Sequence, residues 1–252
     1  MTEPLLEIHH LYKAFGAVQA TRDLTMTLET GHIHALIGPN GAGKTTVVNQ
    51  ITGDIFPDSG QVFFKGRKVT AMTAPKRARL GMARSFQITH IFDNLTVSEN
   101  MALAICAHAG HNFRFWKSSL AAGAVKARLP GALDQVDLGA KAAVRAGHLS
   151  HGEKRQLEVG MALTGDPDLL IMDEPMAGMG PGGTVEMTKL IQKLKGNLTI
   201  LLVEHDMDVV FSLADRVTVL VYGENIASAP PGQIRKDGAV QRAYLGEADC
   251  PC

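Results

Sequence analysis

The residues with the plainest chemistry lie in one short stretch, Gly38-Pro39-Asn40-Gly41-Ala42-Gly43-Lys44-Thr45. It fits the pattern G-x-x-x-x-G-K-[ST], which forms a phosphate-binding loop where it joins a strand to a helix. Gly41 and Gly43 let backbone N–H groups curl around phosphate oxygens. Lys44 supplies a positive charge to the β- and γ-phosphates, and Thr45 offers its hydroxyl to Mg²⁺. The stretch therefore predicts a site for ATP or GTP.

Two carboxylates follow an apolar run further along the chain. The run Leu169–Met172 is typical of a buried parallel strand, and Asp173-Glu174 comes directly after it. Parallel strands present their carboxyl ends to the ligand. We expect Asp173 to hold Mg²⁺, directly or through water, and Glu174 to activate the attacking water as a general base.

A histidine and a glutamine stand at two further junctions. His205 comes just after the apolar run Thr199–Val203, where it can donate to a γ-phosphate or polarise water; an ordinary loop histidine is the alternative. Asp206 is predicted to cap the next helix. Gln87 closes a predicted strand, Met82–Phe86, and can contact Mg²⁺ or water there; a surface glutamine is the alternative.

A second helix start with the features of a phosphate site lies at Leu149–Glu153. Ser150 can cap the helix, and Glu153 can reach back to it in a capping box. Gly152 leaves room for a ligand to approach the backbone, and the helix dipole favours an anion. Two such starts in one chain suggest a shared nucleotide.

Charge and composition exclude some classes of protein. Lys and Arg number 25, as do Asp and Glu, so the formal net charge is zero and a broad nucleic-acid surface is not expected. The basic run Lys76–Arg79 is interpreted as a solvated helix face. No apolar run is long enough to cross a bilayer, and the first residues do not resemble a signal peptide.

The elements that must position these residues indicate an α/β fold. Apolar runs alternate with helical stretches, which predicts parallel βαβ units, and the first third reads as strands and turns. From Ser98 to Gly139 the chain is rich in Ala and helical, with breaks expected at Gly110, Gly123 and Pro130-Gly131. We therefore predict a P-loop (RecA-like) core with a mostly parallel sheet, an N-terminal antiparallel β region and an inserted helical lobe. The core is predicted at 1–86 and 165–252, and the lobe at 87–164.

The order Lys44, Gln87, Ser150, Asp173-Glu174, His205 resembles that of the ATP-binding cassette (ABC) ATPases, from about Leu5 to Glu247. The resemblance implies a Walker A loop, a Q-loop at Gln87, a signature sequence at Leu149–Glu153, a Walker B strand ending at Asp173 and a switch histidine. It also implies that Phe15 stacks on adenine.

The candidate site then follows from the motifs and the resemblance together. Nucleotide contacts are predicted at Phe15, Gly38, Pro39, Asn40, Gly41, Ala42, Gly43, Lys44, Thr45, Thr46, Gln87, Ser150, His151, Gly152 and Glu153. The ligands of Mg²⁺ are predicted as Thr45, Gln87 and Asp173, and the catalytic residues as Lys44, Glu174 and His205.

Shorter motifs resemble the ATP-binding subunits of branched-chain (hydrophobic) amino acid importers. They are Arg84–Gln87, Met176–Met179 and the ending Ala243–Glu247. The resemblance implies a cytoplasmic ATPase on the inner face of the membrane, paired with a second ATP-binding subunit (the same chain or a paralogue). Its other implied partners are membrane permeases and, indirectly, a substrate-binding protein. Alternatives are a urea or amide importer, a lipopolysaccharide or lipid exporter, and an ABC ATPase acting on nucleic acid or ribosomes.

Two departures from the ABC pattern stand out. His151 and Glu153 replace the usual Gly and Gln of the signature, and Gly180 stands where the family usually has an acidic residue. The family couples its two nucleotide sites through that acidic side chain, so Gly180 favours a paralogue as the second subunit.

Overall fold

The computed structural model describes residues 4–85, 91–108 and 118–245. The chain forms two compact units. The first comprises Met1–Met82, Asp168–Glu174 and Leu194–Cys252, and the second comprises Ala83–Pro167 and Pro175–Lys193. The functional division at 87 and 164 stays a prediction.

Strands dominate the first unit. The strands of the described residues are β1 (Pro4–Phe15), β2 (Val18–Glu29), β3 (Ile33–Ile37), β4 (Ser59–Phe64), β5 (Arg67–Lys68), β6 (Met82–Ser85, mainly in the second unit), β7 (Leu169–Asp173), β8 (Thr199–Val203), β9 (Arg216–Val221) and β10 (Glu224–Ala229). The helices are α1 (Lys44–Thr52), α2 (Ala74–Ala78), α3 (Val97–His108), α4 (Ser118–Gln135), α5 (His151–Leu163), α6 (Pro181–Leu194), α7 (Met207–Leu213), α8 (Pro231–Ile234) and α9 (Gly238–Leu245).

The first sheet is the predicted antiparallel β region. Its strand order is β2-β1-β4-β5 in the described residues, and β1 pairs with β2 from Pro4↔Glu29 to Phe15↔Val18. The turn between these strands is therefore only two residues long, with Gly16 at a φ of 59°. Alternating buried residues along both strands turn one face towards the core.

The second sheet carries the parallel core. Its order in the described residues is β10-β9-β3-β8-β7-β6. Strand β3 runs parallel to β8 and β9, β7 runs parallel to β8, and β10 is antiparallel to β9. Every residue of β3, β7 and β8 is buried, as expected for strands covered on both faces. The predicted fold class is confirmed, and the carboxyl ends of β3, β8 and β7 lie at one edge of this sheet.

The second unit is mainly helical, with α3, α4, α5 and most of α6. The breaks predicted at Gly123 and at Pro130-Gly131 are wrong, because α4 continues through all three residues. The φ of proline is compatible with a helix. Inside a helix, proline therefore removes one N–H donor but does not always end the helix. Gly110 lies outside the described residues. Across the described ranges, no helix is both long and apolar enough to cross a membrane.

Candidate nucleotide-binding and hydrolysis site

The phosphate loop joins β3 to α1, as predicted, and glycine is required at two of its positions. A Cβ on Gly38 would overlap the carbonyl oxygen of Leu220, and one on Gly43 would overlap that of Ala20. Gly43 precedes α1 with a φ of 100°, a conformation that favours glycine. At Gly41 the φ of 77° also favours glycine, but a Cβ would meet nothing within 4 Å. The loop is thus enclosed by neighbouring backbone and open at Gly41, where an anion can approach.

Lys44 lies across this loop. Its side-chain Nζ donates to the carbonyl oxygens of Gly38 at 2.7 Å and Pro39 at 3.1 Å, and the residue is only 9% exposed. Burial lowers the pKa of Lys44, while the charges of Glu174 and Asp173 act in the opposite direction. The predicted phosphate-binding cation and the two predicted catalytic and metal-binding acids are therefore close enough to interact.

The other loop residues differ in exposure. Asn40 and Thr45 are exposed, whereas Thr46 is half-buried. Ala42 is buried, and its carbonyl oxygen accepts a hydrogen bond from Gly223 N–H in the β9–β10 turn at 2.9 Å. The exposed Thr45 hydroxyl can thus reach a ligand, while Ala42 fixes the loop to the sheet.

The two acids stand at the end of β7. Asp173 is the last residue of the strand and is buried, and its register partner on β8 is Val203. The next residue, Glu174, has a φ of 48°, in the left-handed region. Its N–H donates to the carbonyl oxygen of Val203 at 2.9 Å. A strained backbone of this kind at a carboxylate is typical of functional sites.

His205 follows the end of β8, the strand between β3 and β7. Its side chain is exposed, and its N–H donates at 3.0 Å to the carboxylate of Glu204, which is fully buried. Asp206 caps α7 by accepting from the N–H groups of Asp208 and Val209, which confirms the predicted cap. The exposed imidazole is therefore held by a fixed backbone at the edge where the phosphate loop and the acids lie.

The residue predicted to stack on adenine ends β1. Phe15 is 50% exposed, and the Lys13 Nζ lies 5.5 Å from its ring centroid. An exposed aromatic ring beside a cation can stack on a nucleotide base, so its placement suits the predicted role. Gln87 and the chain end at Gly246-Glu247 lie outside the described residues.

The second unit holds α5, the helix that begins within the predicted signature sequence and is called the signature helix below. Ser150 is its N-cap, and the predicted capping box is present. The Glu153 N–H donates to Ser150 Oγ at 3.3 Å, and the Ser150 N–H donates to Glu153 Oε2 at 2.9 Å. The other carboxylate oxygen, Oε1, is paired with Lys141 Nζ. Burial alone would raise the pKa of Glu153, but hydrogen bonds from Lys141 and Ser150 hold it below its ordinary value.

His151 and Gly152, which lie between Ser150 and Glu153, pack on the segment that follows the predicted Walker B acids. The Cε1 atom of His151 lies 3.7 Å from the position that a Cβ on Gly178 would occupy. A Cβ on Gly152 would lie 3.4 Å from the Cα of Gly183, near the start of α6. His151 thus covers a glycine backbone. A side chain at Gly180 would meet no atom within 4 Å, so packing in this chain does not require glycine there.

The donor set suits Mg²⁺. Magnesium is usually held by one or two carboxylates together with substrate phosphates, not by a cage of protein ligands. Asp173 and the Thr45 hydroxyl can supply such a set. In the part of the chain that the structure describes, no group of three or more His, Cys, Asp and Glu side chains is placed to hold a metal ion.

Sequence reasoning missed one buried residue that binds the last turn of α1. The run Lys76–Arg79 is a solvated face only in part, because Arg77 is fully buried. Its guanidinium donates to the carbonyl oxygens of Gln50 and Ile51 in α1, at 2.7 and 2.6 Å. Two exposed basic neighbours concealed this role, and nothing in the local pattern indicates it.

A phosphate loop, two acids and a histidine at the ends of neighbouring parallel strands define a P-loop nucleotide hydrolase. Residues 21–177 match the ABC transporter family. BraF of Pseudomonas aeruginosa, a high-affinity branched-chain amino acid transport ATP-binding protein, is 36% identical over 258 residues, covering 98% of this chain and 100% of BraF. The chain belongs to the ABC transporter family, as an ATP-binding subunit with ATPase activity.

One further relative and one solved structure agree with this family. LivG of Escherichia coli, with the same description as BraF, is 36% identical over 262 residues and covers 98% of this chain and 100% of LivG. Among solved structures, the ADP conformation of an ATP-binding cassette of an ABC transporter matches with a TM-score of 0.81 and 28% identity, covering 97% of this chain and 100% of the other.

Proposed function

We propose that this chain is the ATPase subunit of an importer for branched-chain or other hydrophobic amino acids. The observation that carries the proposal is the cluster of Lys44, Asp173 and Glu174 at one sheet edge, in a chain whose full-length relatives are named for branched-chain amino acid transport. The cluster supports hydrolysis, and the relatives' names support the substrate class.

Each residue has a role in hydrolysis that its position supports. Glu174 accepts a proton from the attacking water, whose oxygen bonds to the γ-phosphorus as the bond to the β,γ-bridging oxygen breaks. Lys44 offsets the charge on the phosphate oxygens, and His205 donates a hydrogen bond to the γ-phosphate. Mg²⁺, held by Thr45 and Asp173 with Gln87 as a further predicted ligand, would neutralise charge on the β- and γ-oxygens. The products are ADP and inorganic phosphate.

The signature helix serves a second subunit in this proposal. Ser150 Oγ accepts from the Glu153 N–H, which leaves the hydroxyl proton available for a phosphate oxygen. Two subunits would then enclose two ATP molecules, each between one subunit's phosphate loop and the other's Ser150 and Gly152. Gly180 favours a paralogue as the second subunit, because it lacks the usual coupling side chain.

The remaining partners lie in the membrane and beyond it. Permease subunits would form the transport path, and the ATPase would bind them from the inner, cytoplasmic face. A substrate-binding protein would deliver the amino acid from the other side.

The test is transport by the assembled complex. The chain is purified with its co-expressed partner subunits and reconstituted in proteoliposomes with the binding protein. We expect ATP-dependent uptake of radiolabelled leucine or valine, and we expect Glu174→Gln to lower both ATPase activity and uptake by at least 100-fold. Glu224→Gln serves as the control: this half-buried side chain pairs with Arg22 on β2, away from the predicted catalytic residues, and its change should leave both unchanged.

Other outcomes identify the alternatives. Uptake of urea but not leucine, or co-purification with lipid-export subunits, would contradict the proposed substrate class and leave the ATPase assignment intact. An undiminished rate in Glu174→Gln would instead remove Glu174 as the general base.

A further inference from the structure

The signature helix of this chain carries an unusual charge. Glu153 places a carboxylate at the third position of α5, where the family usually has glutamine. In the proposed function, a nucleotide phosphate approaches this same helix start. An uncompensated carboxylate there would repel the phosphate and offset the attraction of the helix dipole.

Lys141 provides the compensation. It ends the short 3-10 turn Gly139–Lys141, ten residues before α5, and pairs with Glu153 Oε1, while Oε2 accepts from the Ser150 N–H. The carboxylate therefore has one oxygen on a cation and the other on the backbone of the phosphate-binding serine. Glu153 is the less exposed partner, with 17% of its side chain accessible against 46% for Lys141.

We propose that Lys141 is a positioning residue for ATP hydrolysis: it neutralises Glu153 and fixes its carboxylate, so that Ser150 is held ready for the nucleotide of the partner subunit. The inference rests on the proposed function of the signature helix. A partly exposed ion pair contributes little to folding stability, so its loss should change the melting temperature little.

The same unit supplies a matched control. Lys193 pairs with Asp137 at 2.9 Å, and its side chain is also 46% exposed. Its contacts are with Asp137 and the carbonyl oxygen of Asp134, both outside the signature. Lys193→Met therefore removes an equivalent surface ion pair without touching Ser150 or Glu153.

The test compares variants in the reconstituted complex. We expect Lys141→Met to lower the ATPase kcat about tenfold and Lys141→Arg to retain more than half of it. ADP affinity of the chain should not change, because its own phosphate loop is intact. We expect Lys193→Met to match the unmodified chain, and both Met variants to keep the same melting temperature within about 2 °C.

The second arm removes the carboxylate. In a Glu153→Gln background, adding Lys141→Met should change kcat less than twofold, since no charge remains to be neutralised. An equal loss in both backgrounds, or no loss beyond that of Lys193→Met, would overturn the proposal. An unchanged kcat in Ser150→Ala would contradict the role of the signature helix in the proposed function, and not only the role of Lys141.

Discussion

At the scale of single residues, Glu174 combines the carboxylate proposed as the general base with a backbone that glutamate disfavours. Its φ of 48° lies in the left-handed region, which costs a residue with a Cβ about 1–2 kcal/mol. The hydrogen bond to Val203 on β8 helps to hold this conformation. The strained residue is thus the same acid whose charge acts on Lys44.

We predict that removing the Cβ at this position stabilises the chain. Glu174→Gly and Glu174→Ala both delete the carboxylate, but only glycine relieves the left-handed backbone. The free energy of unfolding should therefore be about 1 kcal/mol higher for Glu174→Gly than for Glu174→Ala. This difference corresponds to a melting temperature about 2–4 °C higher. Equal melting temperatures for the two variants would show that the backbone is not strained.

A second residue, His34, links stability to pH. It lies in β3, is 1% exposed, and its Nε2 is 2.7 Å from Thr218 Oγ1. Burial lowers its pKa from 6.5 to about 3, with Arg216 and His32 acting in the same direction. The folded chain thus keeps His34 neutral, while the unfolded chain protonates it below about pH 6.5.

We predict a loss of stability on acidification that depends on His34. A histidine whose pKa is lower in the folded than in the unfolded chain makes its full contribution to stability above the pKa of the unfolded chain. This contribution is lost as the pH falls from about 6.5 towards 3. Between pH 7.5 and 5 the loss amounts to about 2 kcal/mol. Urea unfolding of the unmodified chain and His34→Asn at both pH values measures it. The pH dependence should be about 2 kcal/mol smaller in the variant, and equal dependence would contradict the assignment.

At the scale of elements, α1 is held at both ends. Its start is the phosphate loop, with Gly43 against the backbone of Ala20. Its last turn is bound by Arg77, whose guanidinium also donates to the carbonyl oxygens of Thr70 and Met72, at 2.9 Å each. Burial lowers the pKa of Arg77 to about 10, so it is still charged at neutral pH. Arg77 thus ties the end of α1 to the loop between β5 and α2.

We predict that Arg77→Met destabilises the chain by about 3 kcal/mol, because it leaves several buried carbonyl groups without a donor. Arg77→Lys should recover little of this, since an ammonium cannot reproduce the planar set of donors. Urea unfolding measures both. Lys76→Met, one residue away and exposed, is the control and should change stability by less than about 0.5 kcal/mol. A similarly small effect of Arg77→Met would contradict the role.

Local signals explain which elements were predictable. Apolar runs followed by a loop with phosphate-binding, acidic or histidine residues identified β3, β7 and β8. The capping residues Ser150 and Asp206 identified two helix starts. The course of α4 through Pro130 was not predictable from the local sequence, since proline ends some helices and is tolerated in others. Arg77 was missed because its partners lie 26 and 27 residues earlier, in α1.

At the scale of the whole molecule, nucleotide binding should stabilise the fold. We predict that ADP with Mg²⁺, at 100 times its Kd, raises the unfolding free energy by about 2.7 kcal/mol, which corresponds to about 5–10 °C in a thermal melt. Lys44→Ala should lose most of this shift. Ser150→Ala should keep it, because in the proposed function Ser150 serves the nucleotide of another subunit. A shift lost in Ser150→Ala would mean that one chain uses both motifs on one nucleotide.

The predicted catalytic residues occupy positions that follow a rule about sheets. Lys44, Glu174 and His205 are far apart in the chain, yet each comes at or just after the carboxyl end of a parallel strand, and those ends meet at one edge. The pairing of Lys141 with Glu153 follows no such rule. Its two side chains meet only because a turn and a helix start fold onto each other, so the sequence alone did not indicate it.

In the proposed function, the pairing of Lys141 with Glu153 also predicts the order in which the two residues were acquired. A lysine at 141 facing a glutamine is an ordinary surface residue, whereas a glutamate at 153 without the lysine brings an uncompensated negative charge to a phosphate. The lysine is therefore expected to have arisen first, as a neutral change that later permitted the glutamate. Descendants of such a lineage that lose the lysine should have reverted to glutamine.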